Sequence, residues 1–187
     1  LWGFAPALRS LGHDLGFVPF VVGTCVVVFA LTLVASRGEI GMGGLMNMMA
    51  PNGISLQLFG ASGAFPVFYR GWWWTVLSAG WLHGSLLHIL FNVLWIRQLA
   101  PAVAELYGPG RMVIVYTLAG AVGFTFTSVA GQYFGYLPII GGARLSVGAS
   151  APIFGLLGAL VYYGQRTGSR HVGQAGLQYA LMMGLFG

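Results

Sequence analysis

Lysine is absent from these 187 residues, and only three acids occur, Asp14, Glu39 and Glu105. Charged residues make up 6% of the chain, against about 25% in soluble domains. That deficit excludes an ordinary soluble fold. The eight basic residues are all arginines, scattered singly and never in a run, which excludes a nucleic-acid-binding surface. The one cysteine, Cys25, sits in an apolar stretch, so disulfides and cysteine-based metal sites are excluded as well. No cleaved signal peptide is evident, because the first apolar run is too long and lacks a cleavage pattern. Position 1 is Leu1 and the last residues, "LMMGLFG", lie in an apolar stretch; we read the chain as a piece of a longer protein.

What is abundant is apolar surface, at 57% of residues, together with 31 glycines. A spanning helix needs roughly 20 mostly apolar residues. The sequence predicts an all-α membrane protein, a polytopic helical bundle. Its spans are expected at 17–35, 76–100, 112–134, 150–163 and from 172 to 187. Residues 1–16, with Arg9 and His13, are expected to form a cytoplasmic segment ahead of a membrane domain over 17–187. The connector 36–75 is long and not polar, so it is expected to be membrane-associated. Trp72, Trp73 and Trp74 read as an interfacial aromatic belt. An N-terminus on the inside puts five arginines inside and three outside, the arrangement that membrane insertion favours. Ser150 then opens its span on the outer side. Ala151, Gly155 and Ala159 form a ridge of small residues suited to close helix packing.

Polar side chains at membrane depth are costly and usually functional. In "LHGSLLHILFN", His88 and Asn92 are four apart and share a helical face with Ser85 and Trp95. On a continuous helix His83 points roughly 140° away from His88. Three readings compete here. A metal site lacks further ligands, and none is expected. Interhelical hydrogen bonding is the plain alternative. The third is an oxyanion site, where neutral His and Asn side chains donate to developing negative charge. That reading needs a nucleophile at the same depth, and Ser150 supplies one at a span's beginning. Pro152 suits a helix start there, where free N–H groups and the positive dipole end lie. Ser62, in "GASG", is a second candidate. It stands in the connector with no spanning helix after it, so context favours Ser150.

Taken together, these residues resemble the rhomboid intramembrane serine proteases over about residues 65–164. "HGSLLHILFN" is similar to the family's H-x-x-x-x-H-x-x-x-N, "ELYGPGRMVIVYTLAG" to its stretch between second and third helices, and "GASAPIFGLLGAL" to its nucleophile motif. The resemblance implies six helices, five of them visible here, and a Ser–His dyad. Ser150 would be the nucleophile. His88 and Asn92, with the Ser150 N–H, would hold the oxyanion. His83 and Gly148 would be structural, His83 tethering the connector. The base histidine would lie on a sixth helix beyond residue 187, since His171 is at the wrong end of the fourth span. Transmembrane proteins would be the substrates, cut near the surface of what would be a bacterial-type plasma membrane, in contact with lipid and without metal or cofactor. Ala151 stands where the family usually has glycine, and Thr75 follows Trp74 where many members have arginine. A rhomboid-like protein that binds membrane clients without cutting is the alternative, and a small transporter is a further one. Neither oligomeric state nor substrate identity is legible.

Overall fold

A computed structural model describes residues 14–137 and 141–186. Arg9 and His13, and with them most of the expected N-terminal segment, lie outside those residues. The described chain is helical, with two isolated β-bridges and no strand. Five long helices follow in order: α1 (Phe17–Ala35), α4 (Leu86–Tyr107), α5 (Pro109–Tyr133), α6 (Ser150–Thr167) and α7 (Arg170–Phe186). Two short helices precede α4, α2 (Gly53–Leu58) in the connector and α3 (Thr75–Ser78) at its end. Among the described residues α1, α4 and α5 are long and apolar enough to cross a membrane. The chain is thus an all-α polytopic membrane protein.

Each long helix has the two faces that a membrane fold requires. On α5, Met112, Tyr116, Gly120, Phe124 and Ser128 are buried at a spacing of four. Ile114, Leu118, Val122 and Phe126 repeat the same spacing on the other face and are exposed. Apolar side chains are stable on that outer face because hydrocarbon, not water, covers them. α6 lies at the centre, packed on α4, α5 and α7. It buries Ile153, Leu156, Leu157 and Leu160.

The α5–α6 contact runs through missing side chains. A β-carbon on Gly120 would lie 2.9 Å from Pro152 Cγ, one on Gly123 would lie 2.8 Å from Ala151 Cβ, and one on Gly155 would overlap Ala119 Cβ. The expected ridge of small residues is this interface. Gly158 faces open space instead. The same substitution should therefore act in opposite directions. Gly155→Ala should lower the melting temperature by overpacking, at a cost of about 1–3 kcal/mol. Gly158→Ala should leave it unchanged or raise it, by up to ~1 kcal/mol of helix propensity. Thermal unfolding in one detergent checks both.

The second span departs from the expected 76–100. The chain makes the short helix α3 and a 3-10 turn, Ala79–Trp81, then runs extended through Leu82. The spanning helix begins only at Leu86, where the Ser85 hydroxyl accepts the His88 N–H at 3.3 Å. It runs on through Pro101 to Tyr107 and stops at Gly108, whose φ of 87° is left-handed. α6 starts at Ser150 as expected, with Pro152 in its first turn. There the missing proline N–H has no intrahelical partner to lose.

The connector is tied down at several points. The Ser36 and Ser55 hydroxyls meet at 2.9 Å, and Asn52 caps α2 by accepting the Ser55 N–H at 2.8 Å. The connector exposes Met42, Leu45, Met46, Ile54 and Leu58. Trp73 and Trp74 are half-exposed in the same layer.

Candidate active site

Three local devices bring the polar residues together. The first is the cap at the start of α4. Ser85 begins the helix, so His88 and Asn92 fall one turn apart on its inward side, and the Asn92 Nδ2 donates to the His88 carbonyl at 2.8 Å. The second is the N–H of Gly84, which points at His88 Nδ1 from 3.4 Å. A neutral imidazole has one donor and one acceptor nitrogen. With Nδ1 accepting, Nε2 carries the proton and is the donor. The third is Gly148. Its φ of 123° is one that side chains rarely adopt, and a β-carbon there would lie 2.6 Å from His88 Nε2 and 3.7 Å from Ser150 Oγ. Only glycine leaves that space free between the imidazole donor and the serine oxygen.

Ser150 is the first residue of α6 and is partly exposed. The N–H groups of Ser150 and Ala151 lie in the first turn and have no carbonyl within the helix to bond. Ser150, His88, Asn92, Ser85 and Gly84 line one cavity of about 520 Å³. Apart from Gln98, its other walls are largely apolar, with Leu87, Phe91 and Leu94 from α4, Met182 and Met183 from α7, and Met46 from the connector. At one end Tyr179 of α7 meets α4, its hydroxyl 3.2 Å from Gln98 Nε2 and its ring edge-on to Trp95 at 5.4 Å. Chemically, the cavity offers a hydroxyl at a helix N-terminus, an imidazole N–H donor and an amide beside it, among mostly apolar walls.

His83 is not on α4 at all, so the helical-wheel estimate of its direction does not apply. It lies in the extended approach to the cap, 1% exposed. Its ring packs edge-on against His88 with centroids 5.3 Å apart. His171 stands at the start of α7, beyond the whole length of α6 from Ser150.

Ser62 is fully buried, away from the cavity, in a knot of hydroxyls. Ser128 donates to the Phe124 carbonyl at 2.6 Å and Thr75 to the Trp72 carbonyl at 2.7 Å. Each has then spent its proton, and Ser62 Oγ lies 3.3 Å from both. Thr75 fits this uncharged, fully buried spot where an arginine would be unpaired. The backbone around Ser62 also pairs with the loop before Ser150: Ser62 and Ser146 exchange two N–H···O bonds, at 3.0 and 2.7 Å, and Ala64 donates to Ala143 at 3.0 Å. Gly148 donates to the Ala79 carbonyl at 2.9 Å. Sequence reasoning did not find these ties, nor the α7 methionines, because both join segments distant along the chain.

Residues 70–186 match the sequence model of the Rhomboid domain. The chain is 36% identical over 117 residues to the rhomboid protease GluP of Bacillus subtilis, covering 63% of this chain and 21% of that protein. It is 31% identical over 94 residues to the rhomboid protease GlpG of Klebsiella pneumoniae, covering 50% and 30%. It is 30% identical over 110 residues to the rhomboid-like protease 3 of Toxoplasma gondii, covering 59% and 38%. The match thus spans roughly a fifth to two fifths of the length of these relatives.

Proposed function

Because the chain belongs to the rhomboid family, we propose that it is the core of an intramembrane serine endopeptidase cutting transmembrane proteins near the membrane surface. The observation that carries this reading is the Gly148 geometry. One point in space is within contact distance of both the His88 Nε2 donor and the Ser150 hydroxyl, and both line a single cavity.

In this reading Ser150 Oγ attacks the scissile carbonyl. The carbonyl oxygen gains negative charge as the tetrahedral intermediate forms. His88 Nε2–H, the Asn92 amide and the Ser150 N–H donate to it. The helix dipole of α6 adds to that stabilisation. A nucleophilic serine also needs a base within hydrogen-bond reach. His88 presents its protonated nitrogen to the site, His83 is enclosed, and His171 is a helix-length away. The resemblance to the family implies that the base is a histidine on a sixth helix, beyond residue 187. A substrate helix must unwind locally before its peptide bond is reached, so helix-weakening residues at the cut site favour cleavage. The site opens to the outer side, with the N-terminus cytoplasmic.

A serine-directed fluorophosphonate should label Ser150 in the complete protein and leave Ser62 untouched, since Ser62 is buried away from the cavity. EDTA should not change the labelling. Peptide mapping of the adduct decides it: a label on another serine, or labelling that survives Ser150→Ala, removes the nucleophile assignment.

A further inference from the structure

Arg70 stands exposed directly after the helical turn Phe65–Tyr69. Its guanidinium lies over the Phe65 ring at 5.6 Å and over the Trp72 ring at 5.5 Å. The rings answer its charge. They offer no oxygen to its N–H donors, and among the described residues none of those donors makes a hydrogen bond. No acid pairs with it either. Of the three acids in the chain, Asp14 precedes α1 and accepts the Val18 N–H. Glu105 lies near the far end of α4, and Glu39 accepts from Asn52 at 3.1 Å. Arg70 is thus a cation with its donors unspent, set among aromatic rings.

What surrounds it points to a lipid. Phe65 stacks on Tyr69 at 6.0 Å, and Phe68 meets Trp73 at 5.4 Å and Tyr133 at 5.9 Å. Tyr133 is the last residue of α5. It continues the exposed face of Ile114, Leu118, Val122 and Phe126, roughly two turns beyond Phe126. From Ile114 to Tyr133 the helix rises about 28 Å, close to the roughly 30 Å of a bilayer's hydrocarbon core. With Ile114 at one edge of that core, Tyr133 is at the other. The rings around Arg70 then stand at headgroup depth, where Trp and Tyr are favoured. An acyl chain lying on Val122 and Phe126 would bring its phosphate up past Tyr133, to the arginine. Arginine takes phosphate oxygens through paired N–H donors. We propose that Arg70 holds the phosphate of a membrane phospholipid whose acyl chain lies on the exposed face of α5. The Phe65 N–H donates to the Arg144 carbonyl at 3.3 Å, so the segment this lipid holds is the one that grips the loop ahead of Ser150. The inference does not depend on the protease reading.

The test uses the complete protein, stripped of lipid in maltoside detergent and titrated with phosphatidylglycerol. Native mass spectrometry counts the bound lipid, and melting is followed in parallel. The wild type should take up a tight lipid and melt higher with it. Arg70→Gln should bind that lipid on the order of tenfold to a hundredfold more weakly, the loss that a charged hydrogen bond carries. Arg111→Gln, at the opposite end of α5, should keep it. Inorganic phosphate and glycerophosphoglycerol carry the phosphate without acyl chains, and neither should raise the melting temperature or displace the lipid. Should Arg70→Gln melt early without lipid, Arg70→Lys takes its place. There the cation stays but the planar fork is lost, and affinity should still fall several-fold. Wild-type lipid affinity in both Arg70 variants overturns the site. Free phosphate binding as tightly as the lipid overturns the lipid as its occupant. No step requires cleavage, so failure of the protease reading is seen separately, as a wild type without activity.

Discussion

Ser150→Ala in the complete protein is expected to abolish cleavage of a transmembrane reporter while leaving the fold intact. In soluble serine proteases, loss of the nucleophile costs on the order of 10⁶ in kcat, so product should fall to background. The fold should not notice. Among the described residues Ser150 Oγ makes no hydrogen bond, its neighbours Ala149 and Ala151 are already small, and alanine is a good helix former. The melting temperature should stay within what about 0.5 kcal/mol produces. Reporter cleavage followed by immunoblot, beside a melt in the same detergent, checks both halves. Cleavage at the wild-type rate would remove Ser150 from the mechanism.

The second large effect belongs to His88 and Asn92. Removing one oxyanion donor typically costs about 10²–10³ in kcat, or ~3–4 kcal/mol. His88→Ala and Asn92→Ala should each lower kcat and kcat/KM together, with KM little changed, because the donation strengthens only as charge develops. The double variant should lose less than the product of the two, since both donors serve one oxygen. His88→Ala should lower stability only modestly, as its imidazole holds one long hydrogen bond, from Gly84 at 3.4 Å, and an edge-on contact with His83. If instead both variants melt early while the surviving fraction turns over normally, the pair is interhelical glue and Ser150 has no matched anion site.

The sequence disclosed what is local. Five apolar runs, a proline two residues past a serine, and a histidine and asparagine four apart were enough to place α1, α5, α6 and one face of α4. The start of α4 was hidden because the stretch from Val76 onward is mostly apolar, with Ser78, His83 and Ser85 only as single interruptions. Hydropathy cannot see the break that Ser85 makes by capping, with Gly84 before it. His83 was misdirected for the same reason, since a wheel assumes the helix extends through it. Ser62 lies apart from the cavity residues, and its burial against Ser128 and Thr75 depends on contacts between distant segments. The same holds for Gly148, whose left-handed backbone and contact with His88 follow from how α4 and α6 meet.

The pairing of Ser62 with Ser146 has a bearing on how the molecule is made. Between its two halves lie α3, α4 and α5, so the connector cannot grip the loop ahead of Ser150 until both intervening spans are in the membrane. Closing so long a stretch comes late, because its entropy must be lost before any contact rewards it. The chain emerges N-terminus first, and His88 and Asn92 are inserted well before Ser150 exists. Ser150 is thus brought into register only after α4 and α5 are in place. A half-made copy has its polar face but not yet an aligned Ser150.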